Sequence, residues 1–389
     1  MRDTTADPTA PLPDDALFEG DPLDRTLKRI GLGTKSGFAN VRPVLIVIAI
    51  TWVPLLILSS ATGTLDSFLH DFGVHVRFLL VVPVLLASRA IADLRLSRGV
   101  RQMTAGDLIP DEERPELSKL LAGVQGLRKS KVAFAVIILV AIAAAFKMLH
   151  EEHSQGTGTW AINAADRITF AGWWYVAVGI VIMQSLRASW LWKWIIWAVF
   201  LWKLSRLNLS LRTAHPDRCG GLAFLGRMPY AFSAFACTLN VVLAASWIRA
   251  IQTAETTVRD LAPIMITAEI IVLLFLFGPL ACFSPVLLAF RRRSLYAYDL
   301  LANRYGALFQ RRWLGTPAGS DEDLLGTGDI QSLADLAGGY EVVVGTQAVP
   351  FKPQQVLSML VLTALPFLAV IATEVPLTDI LKQIASVLL

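Results

Sequence analysis

Glu269 is the residue whose type and setting most demand an explanation. It sits in TAEIIVLLFLF, where a short side chain has no easy route to water. An ionisable group at membrane depth is costly and by default a functional candidate. A buried carboxyl must find hydrogen-bond partners or keep its proton. Residues 230–250 and 261–290 read as an antiparallel hairpin, and at about 1.5 Å rise per residue Asn240 and Glu269 fall at nearly equal depth. Thr238 and Asn240 are therefore the expected partners, with Lys147 at a compatible depth on another span. Two outcomes are open. Glu269 lines a polar path and titrates, or it makes an interhelical hydrogen bond of about 1 kcal/mol. The same span carries Gly278-Pro279 and Pro285. Proline removes a helix hydrogen bond, and a broken span can present free carbonyls to ions or be a packing kink.

Histidines form the second candidate. His70, His75, His150 and His153 lie on one expected side of the membrane, near Asp66, Asp71, Glu151 and Glu152. HEEH places its two histidines at i, i+3, so a pH sensor or a divalent metal site is one reading. Two ordinary polar loops are the more economical one. The third candidate is HPDRCGGL. His215, Asp217 and Arg218 precede Gly220-Gly221. Consecutive glycine amides beside an arginine can cradle an anion or a lipid headgroup, while the same composition makes a tight connector. No HExxH, GxSxG or P-loop is present, which makes a membrane enzyme the weaker class. No catalytic residue and no cofactor are indicated.

The elements that must position these groups are membrane spans. Hydrophobic residues make up 54% of the 389 and charged residues 17%, against about a quarter charged in soluble domains. The apolar residues come in blocks near span length, at 43–61, 78–94, 131–149, 168–187, 230–250, 261–290 and 355–374. The expected fold class is an all-α polytopic membrane protein of about seven transmembrane helices. A further Trp-rich block at 189–205 is expected to lie at the interface. Basic residues settle that choice. They cluster at 25–42, 95–131, 203–229 and 291–312, and all four fall on one side only if 189–205 does not cross. Arg89, Lys147, Lys193 and Lys203 are expected to snorkel. The three cysteines show no metal or disulfide spacing.

The expected organisation follows. Residues 1–42 form a largely disordered cytoplasmic segment. Residues 43–290 form the membrane domain, with a cytoplasmic insertion at 95–130. Residues 291–354 form a cytoplasmic helical insertion, and 355–389 hold the last span and an amphipathic tail. In LLGTGDIQSLADLAGG, Thr327 or Asp329 can cap a short helix that Gly338-Gly339 ends.

HPDRCGGLAFLG at 215–226 and LLGTGDIQSLADL at 324–336, with the Trp/Lys block and VPF at 349–351, resemble a family of multi-pass bacterial inner-membrane proteins of uncharacterised activity. The resemblance covers most of the chain after residue 160. It implies architecture and a bacterial inner membrane, and it gives no site residue; the alternation of Lys and Arg between loops is what places the N-terminus in the cytoplasm. The expected partner is the lipid bilayer; a homo-oligomer is left open and nucleic acid is not expected. A channel or transporter for a small solute or ion, lined by spans five and six, is the leading expectation. A membrane sensor or scaffold with a cytoplasmic interaction surface is the rival, and it requires an exposed apolar patch within 291–354. A lipid-active enzyme is third and requires a polar cavity at His215, Asp217 and Arg218.

Overall fold

A computed structural model describes residues 41–154, 159–163, 165, 167–253, 256–314 and 328–375. The acidic N-terminal segment, the first residues of the LLGTGD motif and the tail after 375 lie outside them. In chain order the helices are α1 (Arg42–Ala61), α2 (Phe72–Thr104), α3 (Arg114–Arg128), α4 (Lys131–Ser154), α5 (Phe170–Leu204), α6 (Ala223–Gln252), α7 (Val258–Leu314), α8 (Asp329–Val344) and α9 (Pro353–Ile371). Six of these are long and apolar enough to cross a membrane, and α4 carries a shorter apolar run at Ala135–Ala144. Every expected apolar block lies in one of these seven. The protein is an all-α polytopic membrane protein.

The Trp-rich block is not a separate interfacial helix. It is the second half of α5, which runs unbroken for 35 residues, about 52 Å at 1.5 Å per residue. Trp190 and Trp197 are only 1% exposed, and Trp202 alone among the tryptophans of the block is largely open. Since a hydrocarbon core is about 30 Å thick, α5 is longer than a single crossing requires. An indole N–H usually seeks water at headgroup depth; here Trp190 and Trp194 donate to protein carbonyls instead, while Trp192 Nε1 is enclosed with no partner among the described residues.

Two indoles of α5, one of them in the block, donate to carbonyls that prolines set free. Pro279 has no N–H to give the carbonyl four residues earlier, and Trp194 Nε1 donates to that oxygen, on Phe275, at 3.0 Å. Pro54 likewise frees the Ile50 carbonyl, which accepts from Trp174 Nε1 at 2.9 Å. Trp194 also stacks on Phe275 with ring centres 4.2 Å apart. Thus the Gly278-Pro279 break becomes a short 3-10 segment, Gly278–Phe283, with its exposed carbonyl sealed by α5.

At one end of the bundle an aromatic cap closes the structure. Phe68 meets Trp160 edge-on at 5.5 Å, and Trp160 meets Tyr175 at 5.3 Å. Trp160 Nε1 donates to Asp71 at 3.0 Å. Beneath it, α2 and α5 each contain a π-helical turn, Val76–Val81 and Tyr175–Ile180. They meet where Gly179 faces Phe78; a Cβ on Gly179 would lie 2.5 Å from the ring.

The other end is basic. There α7, 57 residues in all, continues beyond its 3-10 segment as one α-helix from Ser284 to Phe309, so the expected boundary between 290 and 291 falls inside a helix. α8 packs against this extension. Gly338-Gly339 do not end α8, which continues to Val344. Gly339 instead admits Tyr298, whose ring and hydroxyl lie 3.2 Å from where a Cβ would be. Gly328, not Thr327 or Asp329, sits at the N-cap; Asp329 pairs with Arg312 at 3.2 Å and accepts from Trp313 Nε1 at 3.0 Å.

Candidate functional site

α6, α7 and α9 form a three-helix unit, and Glu269 lies inside it, 5% exposed. Asn240 Nδ2 donates to Glu269 Oε2 at 2.8 Å and to the Thr363 carbonyl at 2.8 Å. Both amide hydrogens are thereby used. Thr363 Oγ1 contacts Glu269 Oε1 and lies 2.8 Å from the Met359 carbonyl. A hydroxyl has one hydrogen. If it goes to Met359, the hydrogen between Thr363 and Glu269 must come from the carboxyl, so that contact is satisfied with Glu269 as the neutral acid. The Asn240 Oδ1 is buried with no partner among the described residues.

Asn240 is thus the partner that depth matching indicated. Thr238 is not: it lies two residues away, about 200° around the helix, and donates to the Phe235 carbonyl at 2.7 Å. Lys147 is not either, for α4 packs on α5 rather than on the three-helix unit. Thr363 was missed. Its only signal was a hydroxyl inside the last apolar block, which helices commonly satisfy on their own backbone.

A second polar cluster joins α2 to α5. Lys193 Nζ lies 2.5 Å from Asp93 Oδ1, and both side chains are more than nine-tenths enclosed. Arg89 donates to Ser189 Oγ at 2.8 Å. Lys193 also sits 5.5 Å from the centre of the Trp190 ring. Arg89 and Lys193 therefore do not snorkel; each is buried and held by a partner about a hundred residues away in sequence. Arg187, on the same helix, is different. Its Nε and Nη2 are enclosed with no hydrogen-bond partner among the described residues.

The HPDRCGGL turn explains itself once the amides are followed. Gly220 and Gly221 take φ of +63° and +100°, and Arg218 +57°, all in the left-handed region that glycine tolerates best. The amides so turned point at Asp217, not outward. Asp217 Oδ1 accepts from Cys219 N at 2.8 Å and Gly221 N at 3.2 Å; Oδ2 accepts from Ala223 N at 3.0 Å. His215 Nδ1 lies 2.7 Å from the same carboxylate. Burial alone would push this carboxyl up, but the amides of Cys219, Ala223 and Gly221 and the His215 ring outweigh it and hold it below the ordinary range. The cradle is filled by the chain's own anion, so Gly220 and Gly221 have no vacant nest for an external one.

The turn also docks. Gln347 N donates to the Arg218 carbonyl at 2.8 Å, and Arg218 packs along Gly345. Gly226 lies against Pro350 and Phe351 so closely that a Cβ would fall 2.8 Å from both. Cys219 is fully enclosed in this joint, and burial, with Asp217 beside it, pushes its thiol up to about 12. The 215–226 segment and VPF at 349–351 thus meet in one joint at the basic end.

The histidines do not converge in the described residues. His75 Nδ1 accepts from Trp52 Nε1 at 3.0 Å, and its Nε2 lies 3.1 Å from the Leu69 carbonyl, so both nitrogens are engaged. His70 faces Asp66 at 3.5 Å on an exposed turn. The side chains of His150 and His153 lie outside the described residues. Among those described, no group of three or more His, Cys, Asp or Glu could hold a metal.

Beyond the bundle, the extension of α7 leaves Tyr296, Leu300, Leu301, Leu308 and Leu314 exposed, from 49% to 75%, interleaved with Arg304 and Arg311. No family model, curated protein or solved structure matches the chain.

Proposed function

We propose that this protein is a membrane-anchored interaction platform, a sensor or scaffold whose extended α7 with α8 forms the output surface. One observation carries the reading: large apolar side chains stand exposed on the part of α7 that has left the bundle. Lipid explains exposed leucines on spans, but these lie beyond the apolar block of α7 at 261–290. Exposed apolar patches of this kind mark interaction sites. Leu301 and Leu308 repeat at seven residues, as do Arg304 and Arg311, which suits an amphipathic helix with acidic flanks. The distribution of Lys and Arg supports a cytoplasmic position for this surface and for the N-terminus, in a bacterial inner membrane.

Photo-crosslinking residues at 300 and 308 in native membranes test the reading. Adducts to one polypeptide, absent when the probe is at the buried position 287, are expected. Adducts to lipid alone would refute it.

A channel or transporter for a small ion is the second reading, favoured by Arg187. Two enclosed guanidinium nitrogens without a partner are costly, and a passing anion is their natural counter-charge. Chloride efflux from proteoliposomes that Arg187→Gln reduces would support this; equal efflux from protein-free liposomes would remove it.

A further inference from the structure

The chain leaving α5 at 205–213 does not lie flat against α7. Between them is a cleft of about 930 Å3 at the basic end of the bundle, within the size range of ligand sites. Its floor is apolar, with Val286, Ala289 and Phe290 on α7. Its rim holds Arg206 and Arg293. No Asp or Glu lines the cleft, and neither arginine has an ion pair among the described residues. Arg206 lies 5.3 Å from the centre of the exposed Trp202 ring, which holds the guanidinium at the mouth without neutralising it. Thr213 and Ser294 hydroxyls, 3.2 Å apart, supply further donors inside.

These features require a ligand with an anionic, oxygen-rich head and an apolar remainder. Guanidinium groups match phosphate oxygens in geometry as well as charge. A bare phosphate would leave the apolar floor and most of the volume unfilled. The cleft also sits where the apolar stretches of α5 and α7 give way to arginines, the level at which headgroups lie. We propose that this cleft binds the headgroup of an anionic phospholipid, with the phosphate between Arg206 and Arg293 and the start of the acyl chain along Val286 and Phe290. The site is separate from the exposed face of α7, and its test does not depend on that face having a partner.

The full chain, purified in detergent and stripped of native lipid, is titrated with dioleoyl phosphatidylglycerol and, separately, dioleoyl phosphatidylcholine. Bound lipid is counted by native mass spectrometry. Preferential retention of the anionic lipid is expected, weakened about tenfold by Arg206→Gln with Arg293→Gln, the loss of one or two charge-assisted contacts. Ala289→Trp, which fills the floor and keeps both charges, should weaken it similarly. Arg227→Gln, outside the cleft, should change nothing. Each variant is first checked for native helicity and an unchanged elution volume, and any that fails is replaced by the corresponding methionine (for arginine) or leucine (for Ala289) substitution. Equal retention of both lipids, or an undiminished preference in the double variant, would overturn the proposal. Glycerol 3-phosphate competing at the same concentration as the lipid would overturn it too, by assigning the cleft to a soluble phosphate ester.

Discussion

Glu269→Gln replaces one carboxyl oxygen by an amide nitrogen at a position where the neighbours' hydrogens are already assigned. Asn240 gives one hydrogen to Glu269 Oε2 and the other to the Thr363 carbonyl. Thr363 can give its single hydrogen to Met359. A glutamine carbonyl accepts from Asn240 as before, and its amide donates to Thr363 Oγ1 in place of the acid hydrogen. Both contacts survive, so the expected change is under about 0.5 kcal/mol, below a typical interhelical hydrogen bond in a bilayer. Glu269→Ala loses both contacts, at about 0.6–1 kcal/mol each, and leaves a cavity in a close-packed unit. Its expected cost is about 2–4 kcal/mol. Asn240→Ala should fall between, losing two bonds with a smaller void. Steric-trap unfolding in bicelles gives these differences directly. A cost above about 2 kcal/mol for Glu269→Gln would mean that Asn240 and Thr363 hold an ionised carboxylate, and the hydrogen assignment would be wrong.

Lys193→Met leaves Asp93 enclosed without its closest cation and should cost about 3–5 kcal/mol; the double change with Asp93→Leu should recover part of it, and full additivity would argue against a coupled pair. The Asp217 carboxyl is held below its ordinary range, so its folded value lies below its unfolded one. Its contribution is complete above the ordinary carboxylate range and is lost as pH falls through the folded value. Asp217→Asn should flatten this acid-side loss in melting experiments, and an unchanged slope would count against the turn as its source. Gly221→Ala combines φ of +100° with a Cβ 2.9 Å from Leu108 and should cost about 1–3 kcal/mol by thermal melting; a neutral result would dispute the turn geometry. Cys219, enclosed and with its thiol pushed up to about 12, should resist maleimide at pH 8 until the protein is unfolded; rapid labelling of the native state would contradict the joint with 345–351.

The seven apolar blocks were legible because lipid imposes length and polarity on each span independently of the rest. The Glu269–Asn240 contact was legible because a short hairpin converts sequence distance into depth. Thr238 could have been set aside by the same helical geometry, since it and Asn240 face different ways. The Asp93–Lys193 pair was not legible. Each residue stood near a block end, where snorkelling is adequate, and only tertiary contact between α2 and α5 tells a buried pair from two solvated charges. The Trp block was not legible for the same reason, because only tertiary contact shows that Trp190 and Trp194 donate to carbonyls of α2 and α7 rather than to headgroups. In HPDRCGGL the turn was correctly composed but the direction of its amides was not, as that depends on whether Asp217 folds into the nest or away from it.

Thr363 follows Glu269 by 94 residues, and this separation has a consequence for biogenesis. Ribosomes add about 5–20 residues per second, so for roughly 5–20 s the hairpin of α6 and α7 can reside in the bilayer before its third partner is made. During that interval Asn240 has one hydrogen with no carbonyl to receive it, and Glu269 has no hydroxyl beside it. The hairpin is then a polar, unfinished surface in lipid, the kind of surface that insertases and membrane proteases recognise. Arrival of α9 removes it in one docking step. A chain truncated before residue 363 would therefore keep the Asn240 and Glu269 groups incompletely partnered.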